Sequence, residues 1–209
     1  MAVISMTRQY GAAGTEVARV VAEKMGYRLV DRGVLEEIAR RAGISVKSVE
    51  DADRTAGSVL LSLFSELYST KPSYRNVPGI RTEFDETKYR KFLIRIITEI
   101  AKQGDVVILG RGSQLILKDH PDTFRFYLVA SEEHRVENIM TRYNRTRPRA
   151  EKVARREERK RLTFLRNFRI HEPTDPVIYH AVINTGLVGW ESVAEFICRV
   201  ATAEHEIKE

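Results

Sequence analysis

The sequence predicts an α/β fold in which helices cover both faces of a parallel, five-stranded sheet. Three observations predict it. Short apolar runs alternate with amphipathic helical stretches in the order β-α-β-α-α-β-α-β-α-β-α. One run, Val106-Val107-Ile108-Leu109, is apolar throughout, as a central strand buried on both faces must be. The first apolar run leads through a loop of small residues straight into a helix, a layout that turns backbone N–H groups and a helix N-terminus toward an anion.

Val3 to Met6 reads as a buried first strand. The helix from about Thr15 carries Val17, Val20, Val21 and Met25 on one face and stops at Gly26. Tyr27 to Val30 is a second strand ending at Asp31. Val34, Leu35, Ile38, Ala39 and Ala42 form the next apolar stripe, closed by Gly43, and Ser45 is placed to cap a third helix. Between Gly57 and Arg81 an apolar run at Val59 to Leu67 precedes a proline-containing loop. It reads equally as an insert covering a ligand and as the face of a homodimer. From Phe84 to Lys102 the residues Tyr89, Phe92, Leu93, Ile96, Ile97 and Ile100 make the clearest helical stripe, ended by Gly104. Phe124 to Val129 is a strand and Ser131 begins a helix. A basic helical region runs to about Phe168, Ala181 to Ile183 is the last strand, and Trp190 to Val200 the last helix. Asp175, before Pro176, is placed to cap the turn into that strand.

Composition narrows the field. The chain has 209 residues, of which 43% are hydrophobic and 31% charged, enough for one domain with a sizeable core. Cys198 is the only cysteine, so an internal disulfide and a cysteine metal cage are both excluded. The five histidines show no paired metal-ligand spacing. The start lacks the pattern of a secretion signal, and no apolar run reaches the roughly 18 residues of a membrane span. A cytoplasmic protein with no membrane partner is expected.

The net charge of +6 is concentrated between Arg135 and Arg169, where Arg142, Arg145, Arg147, Arg149, Lys152, Arg155, Arg156, Arg159, Lys160, Arg161 and Arg166 fall close together. Such a block attracts polyanions, or it is a solvated helix face interleaved with Glu157 and Glu158. The preference for arginine points to phosphate, which a planar guanidinium grips with two donors. Few aromatics interleave the block, which makes a nucleic-acid partner unlikely on stacking grounds.

The loop after the first strand is Arg8-Gln9-Tyr10-Gly11-Ala12-Ala13-Gly14-Thr15. Set against the phosphate-loop pattern G-x-x-x-x-G-K-[ST], its lysine slot falls on Gly14 and its two glycine slots on Arg8 and Ala13, while Thr15 keeps the hydroxyl. The alternative is an ordinary strand-to-helix turn. Asp31 likewise reads either as a helix N-cap before Gly33-Val34-Leu35 or as a ligand group at a strand end.

Four pieces stand in order: this loop, Val30-Asp31-Arg32, the strand and turn Val107-Ile108-Leu109-Gly110-Arg111-Gly112-Ser113, and Val182-Ile183-Asn184-Thr185. Together they resemble the cytidylate kinase-like branch of the P-loop nucleoside monophosphate kinases, over most of the chain and least over residues 57–82. The resemblance implies a single three-layer α/β/α domain spanning residues 1–209. Within it, a helical acceptor-side insert would lie at about 45–82 and an arginine-rich helical lid at about 145–172. It implies ATP and Mg²⁺ as cofactors and phosphoryl transfer to a nucleotide, CMP or dCMP. Tyr10, Gly11, Ala12, Ala13, Gly14 and Thr15 would cradle the donor phosphates, with the Thr15 hydroxyl facing Mg²⁺. Asp31, Arg32, Gly110 and Arg111 would frame the acceptor. Arg155, Arg156, Arg159 and Arg161 would belong to the lid, Arg161 matching its arginine best.

The branch carries Gly-Ser-Gly-Gly-Arg where this chain has Gly11-Ala12-Ala13-Gly14-Thr15, so the loop lacks its own cation. Arg8 is close enough in sequence to supply one by pointing back into the loop, which would make Arg8, Arg111 and Arg161 the catalytic arginines. Three other readings stay beside the cytidylate kinase: a nucleotide-binding regulator without turnover, a kinase of another small acceptor, and a nucleic-acid binder.

Overall fold

The computed structural model describes residues 2–41, 86–166, 168 and 172–208. Ala42 and Gly43, the helix expected from Ser45, the segment Gly57 to Arg81 and the first residues of the helix expected from Phe84 lie outside the described residues.

Five strands form one parallel sheet: β1 (Val3–Arg8), β2 (Arg28–Val30), β3 (Val106–Leu109), β4 (Thr123–Val129) and β5 (Ala181–Asn184), in the order β2-β3-β1-β4-β5. Val3 pairs with Val106 on one side and Thr123 on the other. The described helices are α1 (Gly14–Met25), α2 (Arg32–Arg41), α3 (Glu86–Lys102), α4 (Ser113–Ile116), α5 (Glu132–Tyr143), α6 (Arg147–Arg166), α7 (Thr185–Val188) and α8 (Trp190–Lys208).

Strand alternation divides the core into two layers. Val3, Val30, Val106 and Ile108 pack with Leu35 and Ile38 of α2 and Phe92, Leu93, Ile96, Ile97 and Ile100 of α3. Ile4, Met6, Val107, Leu109, Phe126 and Leu128 face the other way, onto Val17 and Val21 of α1 and Val193 and Ile197 of α8. The result is the expected three-layer arrangement.

Helix boundaries follow local chemistry. Gly26 ends α1 in the left-handed region at φ 66°, its N–H reaching the carbonyls of Ala22 and Glu23. Ser131 caps α5 by accepting from the His134 N–H at 3.2 Å. Asp175 accepts from the Val177 N–H at 3.0 Å and so caps the short 3₁₀ turn Pro176–Ile178. That turn and the one-turn helices α4 and α7 are absent from the sequence-based reading, because a single turn is too short to show a period.

The chain leaves β1 for β2 on one side of it and leaves β3 for β4 on the other. The switch in direction therefore falls between β1 and β3, where open parallel sheets place their ligands at the carboxyl ends of the strands. The loop after β1 and the Gly110–Gly112 turn after β3 both lie there.

Candidate phosphate-binding site

The loop after β1 is held by its carbonyls. Asn138 Nδ2 donates to the Gly11 carbonyl at 2.9 Å, and Arg135 Nη1 to that of Tyr10 at 3.4 Å. The Thr185 hydroxyl donates toward the Ala12 carbonyl at 3.2 Å and lies equally near that of Val129. With three successive carbonyls turned onto α5 and α7, the peptide N–H groups are left for the opposite side. Among the described residues, those of Gly11, Ala13 and Gly14 have no backbone partner. Gly11 sits at φ +92°, and a Cβ there would lie 2.6 Å from the Arg135 carbonyl oxygen, so the position admits glycine only. Ala13 takes the left-handed region at φ 51° as it opens α1. Beside the loop lies a cleft of about 240 Å³, bounded by Arg8, Tyr10, Thr15, Arg142, Tyr143 and Trp190 among others.

Arg8 lies against the slot where the usual pattern has its lysine. Strand parity puts it on the α1 side, and its stem crosses Gly14: a Cβ on Gly14 would lie 2.6 Å from Arg8 Cγ. Its guanidinium reaches the next loop, where a Cβ on Gly110 would lie 2.4 Å from Nη1. A side chain in the Gly14 slot would meet the Arg8 stem from β1. Burial, then the adjacent positive charge of Arg111, lowers the Arg8 pKa to about 10. Asp31 acts in the opposite sense and Arg161 in the same one. Arg8 stays charged at neutral pH.

Gly110, Arg111 and Gly112 take φ of +79°, +56° and +73° in succession. This tight left-handed turn throws Arg111 back over the site. Its guanidinium lies 5.7 Å from the Tyr89 ring centre and 5.6 Å from that of Phe164. Gly112 sits at φ +73°, a conformation that favours glycine, and the Phe168 ring lies 2.9 Å from where a Cβ would stand.

Arg161 comes from α6. Its Nη2 donates to Glu158 Oε1 at 2.7 Å and to the Tyr127 hydroxyl at 3.1 Å, and its guanidinium lies 5.3 Å from the Tyr127 ring centre. Burial is the largest influence and works against its charge, but its hydrogen bonds to Glu158 together with the nearby Tyr127, Glu158 and Tyr179 groups outweigh that and raise its pKa. Glu158 in turn accepts from the Tyr10 N–H of the loop at 3.4 Å.

The structure therefore brings Arg111, Arg161 and Asp31 within electrostatic reach of Arg8. It does not bring Arg155, Arg156 and Arg159 there. All three are exposed; Arg155 pairs with Glu132 at 2.9 Å and Arg156 with Glu157 at 2.9 Å. Arg32 is exposed on the first turn of α2. Asp31 accepts from the Val34 N–H at 3.1 Å, so the N-cap role is realised, and the carboxylate also faces Arg8. Thr15 is exposed along the cleft. Sequence reasoning missed Arg135, Asn138 and Glu158. It singled out Thr185 only as part of a motif, without its role of holding the loop.

A phosphate loop at the switch point of a five-stranded parallel sheet, facing a cluster of arginines, defines the P-loop kinase class of fold. The chain belongs to the cytidylate kinase-like family, whose model matches residues 3–187. No curated protein matches it by sequence. It is similar to an uncharacterized protein from Eubacterium ventriosum at 16% identity and a TM-score of 0.66, covering 97% of this chain and 99% of that one. It is also similar to the shikimate kinase of Acinetobacter baumannii, solved with shikimate (17% identity, TM-score 0.50, 98% and 94% covered). A third likeness is to shikimate kinase from Bacteroides thetaiotaomicron, at 14% identity and a TM-score of 0.50, with 95% and 97% covered. At these identities the likeness is one of fold. Among the described residues, no helix is long and apolar enough to cross a membrane.

Proposed function

We propose that this kinase-family protein transfers the γ-phosphoryl group of ATP to a nucleoside monophosphate, CMP or dCMP, yielding ADP and the nucleoside diphosphate. The observation that carries this reading is the convergence of Arg8, Arg111 and Arg161. Three guanidiniums drawn together against Asp31 and Glu158 repel one another unless anions join them, and two phosphate-bearing substrates supply those anions. Phosphoryl transfer asks little covalent chemistry of a protein. It asks for two anions held in line, and for charge to be neutralised on the moving group.

In this reading the N–H groups of Gly11, Ala13 and Gly14 hold the donor phosphates, with Tyr10, Ala12 and Thr15 completing the loop. Arg8 supplies the charge that a lysine in the Gly14 slot supplies in the usual pattern. Arg111, entering from the β3 turn, holds the acceptor phosphate, with Asp31, Arg32 and Gly110 framing that side. Arg161 reaches both from above. Arg155, Arg156 and Arg159 belong to the same lid segment, about residues 145–172, and take part only when α6 shifts. The acceptor-side insert is placed at about residues 45–82.

The loop fits ATP because the N–H groups of Gly11, Ala13 and Gly14 have no backbone partner among the described residues while its carbonyls are tied down. Mg²⁺ fits through the Thr15 hydroxyl. Among the described residues no cluster of histidine, cysteine or carboxylate is arranged for a metal. When bound, Mg²⁺ supplies charge neutralisation between donor oxygens. Arg8 orients the terminal phosphate and Arg111 the acceptor, and closure of α6 excludes water that would otherwise hydrolyse the donor.

The test is ADP release with ATP and Mg²⁺ against CMP, dCMP, UMP, AMP and GMP, with Arg111→Ala as control. Turnover with CMP or dCMP, lost in the control, is expected. ATP binding without turnover on any acceptor would favour the regulator or an acceptor outside this set. Absence of both binding and turnover would overturn the reading.

A further inference from the structure

Glu158 enters the reading above only as a neighbouring charge, yet it touches both the loop and Arg161. It sits on α6, one turn before Arg161, and both side chains are about one-sixth exposed. Its carboxylate receives Arg161 Nε at 3.2 Å on each oxygen and Nη2 at 2.7 Å on Oε1. Its Oε2 also accepts the Tyr10 N–H, the first loop N–H beyond the sheet. Gln9 N–H is still bonded to the Leu128 carbonyl at 2.9 Å, so Tyr10 is where the loop's donors begin. Arg161 keeps a further nitrogen, Nη1, buried and without a partner among the described residues. A negative group thus holds a loop N–H and a guanidinium at once, the donor pair that a phosphate oxygen would engage.

We infer that Glu158 is the internal counter-anion of the phosphate site: it positions Arg161 against the loop, and its charge opposes the incoming nucleotide. This rests on the loop being a phosphate site. Two consequences of opposite sign follow. Neutralising Glu158 removes a negative charge from beside the anion, so phosphate binds more tightly. The same change removes the anchor that aims Arg161, so whatever depends on its alignment slows. A carboxylate that merely stabilised α6 would produce no gain in affinity.

Binding of inorganic tripolyphosphate and of ATP is measured by calorimetry on the full chain, with kcat and KM on the same preparations. Glu158→Gln is expected to bind tripolyphosphate about tenfold more tightly than wild type while kcat falls about tenfold. Glu158→Asp keeps the charge and is expected to return affinity toward wild type and recover part of kcat. Should Glu158→Gln not fold with Arg161 left unpaired, Arg161→Gln is compared with the double variant Glu158→Gln/Arg161→Gln. The double variant is then expected to bind tripolyphosphate more tightly than the single one. Unchanged or weaker binding in these comparisons overturns the inference while leaving the kinase reading intact. Wild type that binds neither tripolyphosphate nor ATP overturns the phosphate site itself, and this inference with it.

Discussion

Two groups of arginines lie on or near the same helix and behave differently. Arg155, Arg156 and Arg159 stand on the outer side of α6 in solvent, two of them paired with neighbouring glutamates. Arg161, only a few residues on, is turned inward onto Tyr127 and joins Arg8 and Arg111 at the strand ends. Helical phase makes the difference. Ala150, Ala154 and Leu165 are buried, and Glu158 and Arg161 divide the interval from Ala154 to Leu165 into steps of four, three and four residues, which puts them on the same face. A run of positive charge in a sequence is therefore two populations. The exposed one costs little to change, because surface ion pairs are screened. The inner one is buried and is met inside the protein by Glu158 and Asp31.

The comparison breaks first at Arg8. Arg8→Ala is expected to lower kcat/KM by about a hundredfold to a thousandfold, the usual scale for losing one charge-stabilising donor, in the ADP-release assay. Arg161→Ala comes next, about a hundredfold, mostly in kcat, because Arg161 is aligned rather than merely attractive. Third, Gly14→Ala is expected to weaken ATP binding about tenfold, since the added methyl must displace the Arg8 stem that lies 2.6 Å away. Calorimetry reads it directly.

A pH titration sharpens the same point more gently. Arg8 is held down to about 10, so ATP affinity is expected to fall as pH rises through that value and the cation is lost. Arg8→Gln has no such group and is expected to lack the step. Arg155→Ala, last and smallest, is expected to stay within about twofold of wild type in both kcat and KM.

Much of the fold was legible in the sequence, because alternating strand and helix patterns punctuated by Gly26 and Gly104 leave few arrangements open. The four-residue run Val106 to Leu109 announced a strand covered on both sides, and it is one. The site was legible in part. The loop and the Gly-Arg-Gly turn are written as local motifs, and local geometry follows from them. Arg8 was reachable only by asking which cation lay close enough to replace a lysine. The structure places Arg8 against Gly14 and Gly110, the positions where that replacement would have to act. Glu158 was hidden because Glu157 stands beside it and looks the same; only the phase of Ala154 and Leu165 separates them. Arg135, Asn138 and Thr185 were hidden for another reason. They grip the loop's carbonyls across more than a hundred residues of chain, and no local pattern records such a contact.

One measurement tests the division of the arginines most directly: ATP binding, in the presence of Mg²⁺, by wild type, Arg8→Ala and Arg155→Ala side by side. Wild type and Arg155→Ala binding alike, with Arg8→Ala weaker by about a hundredfold, is the predicted result. Arg8→Ala binding as tightly as wild type, or Arg155→Ala losing as much as Arg8→Ala, would contradict it.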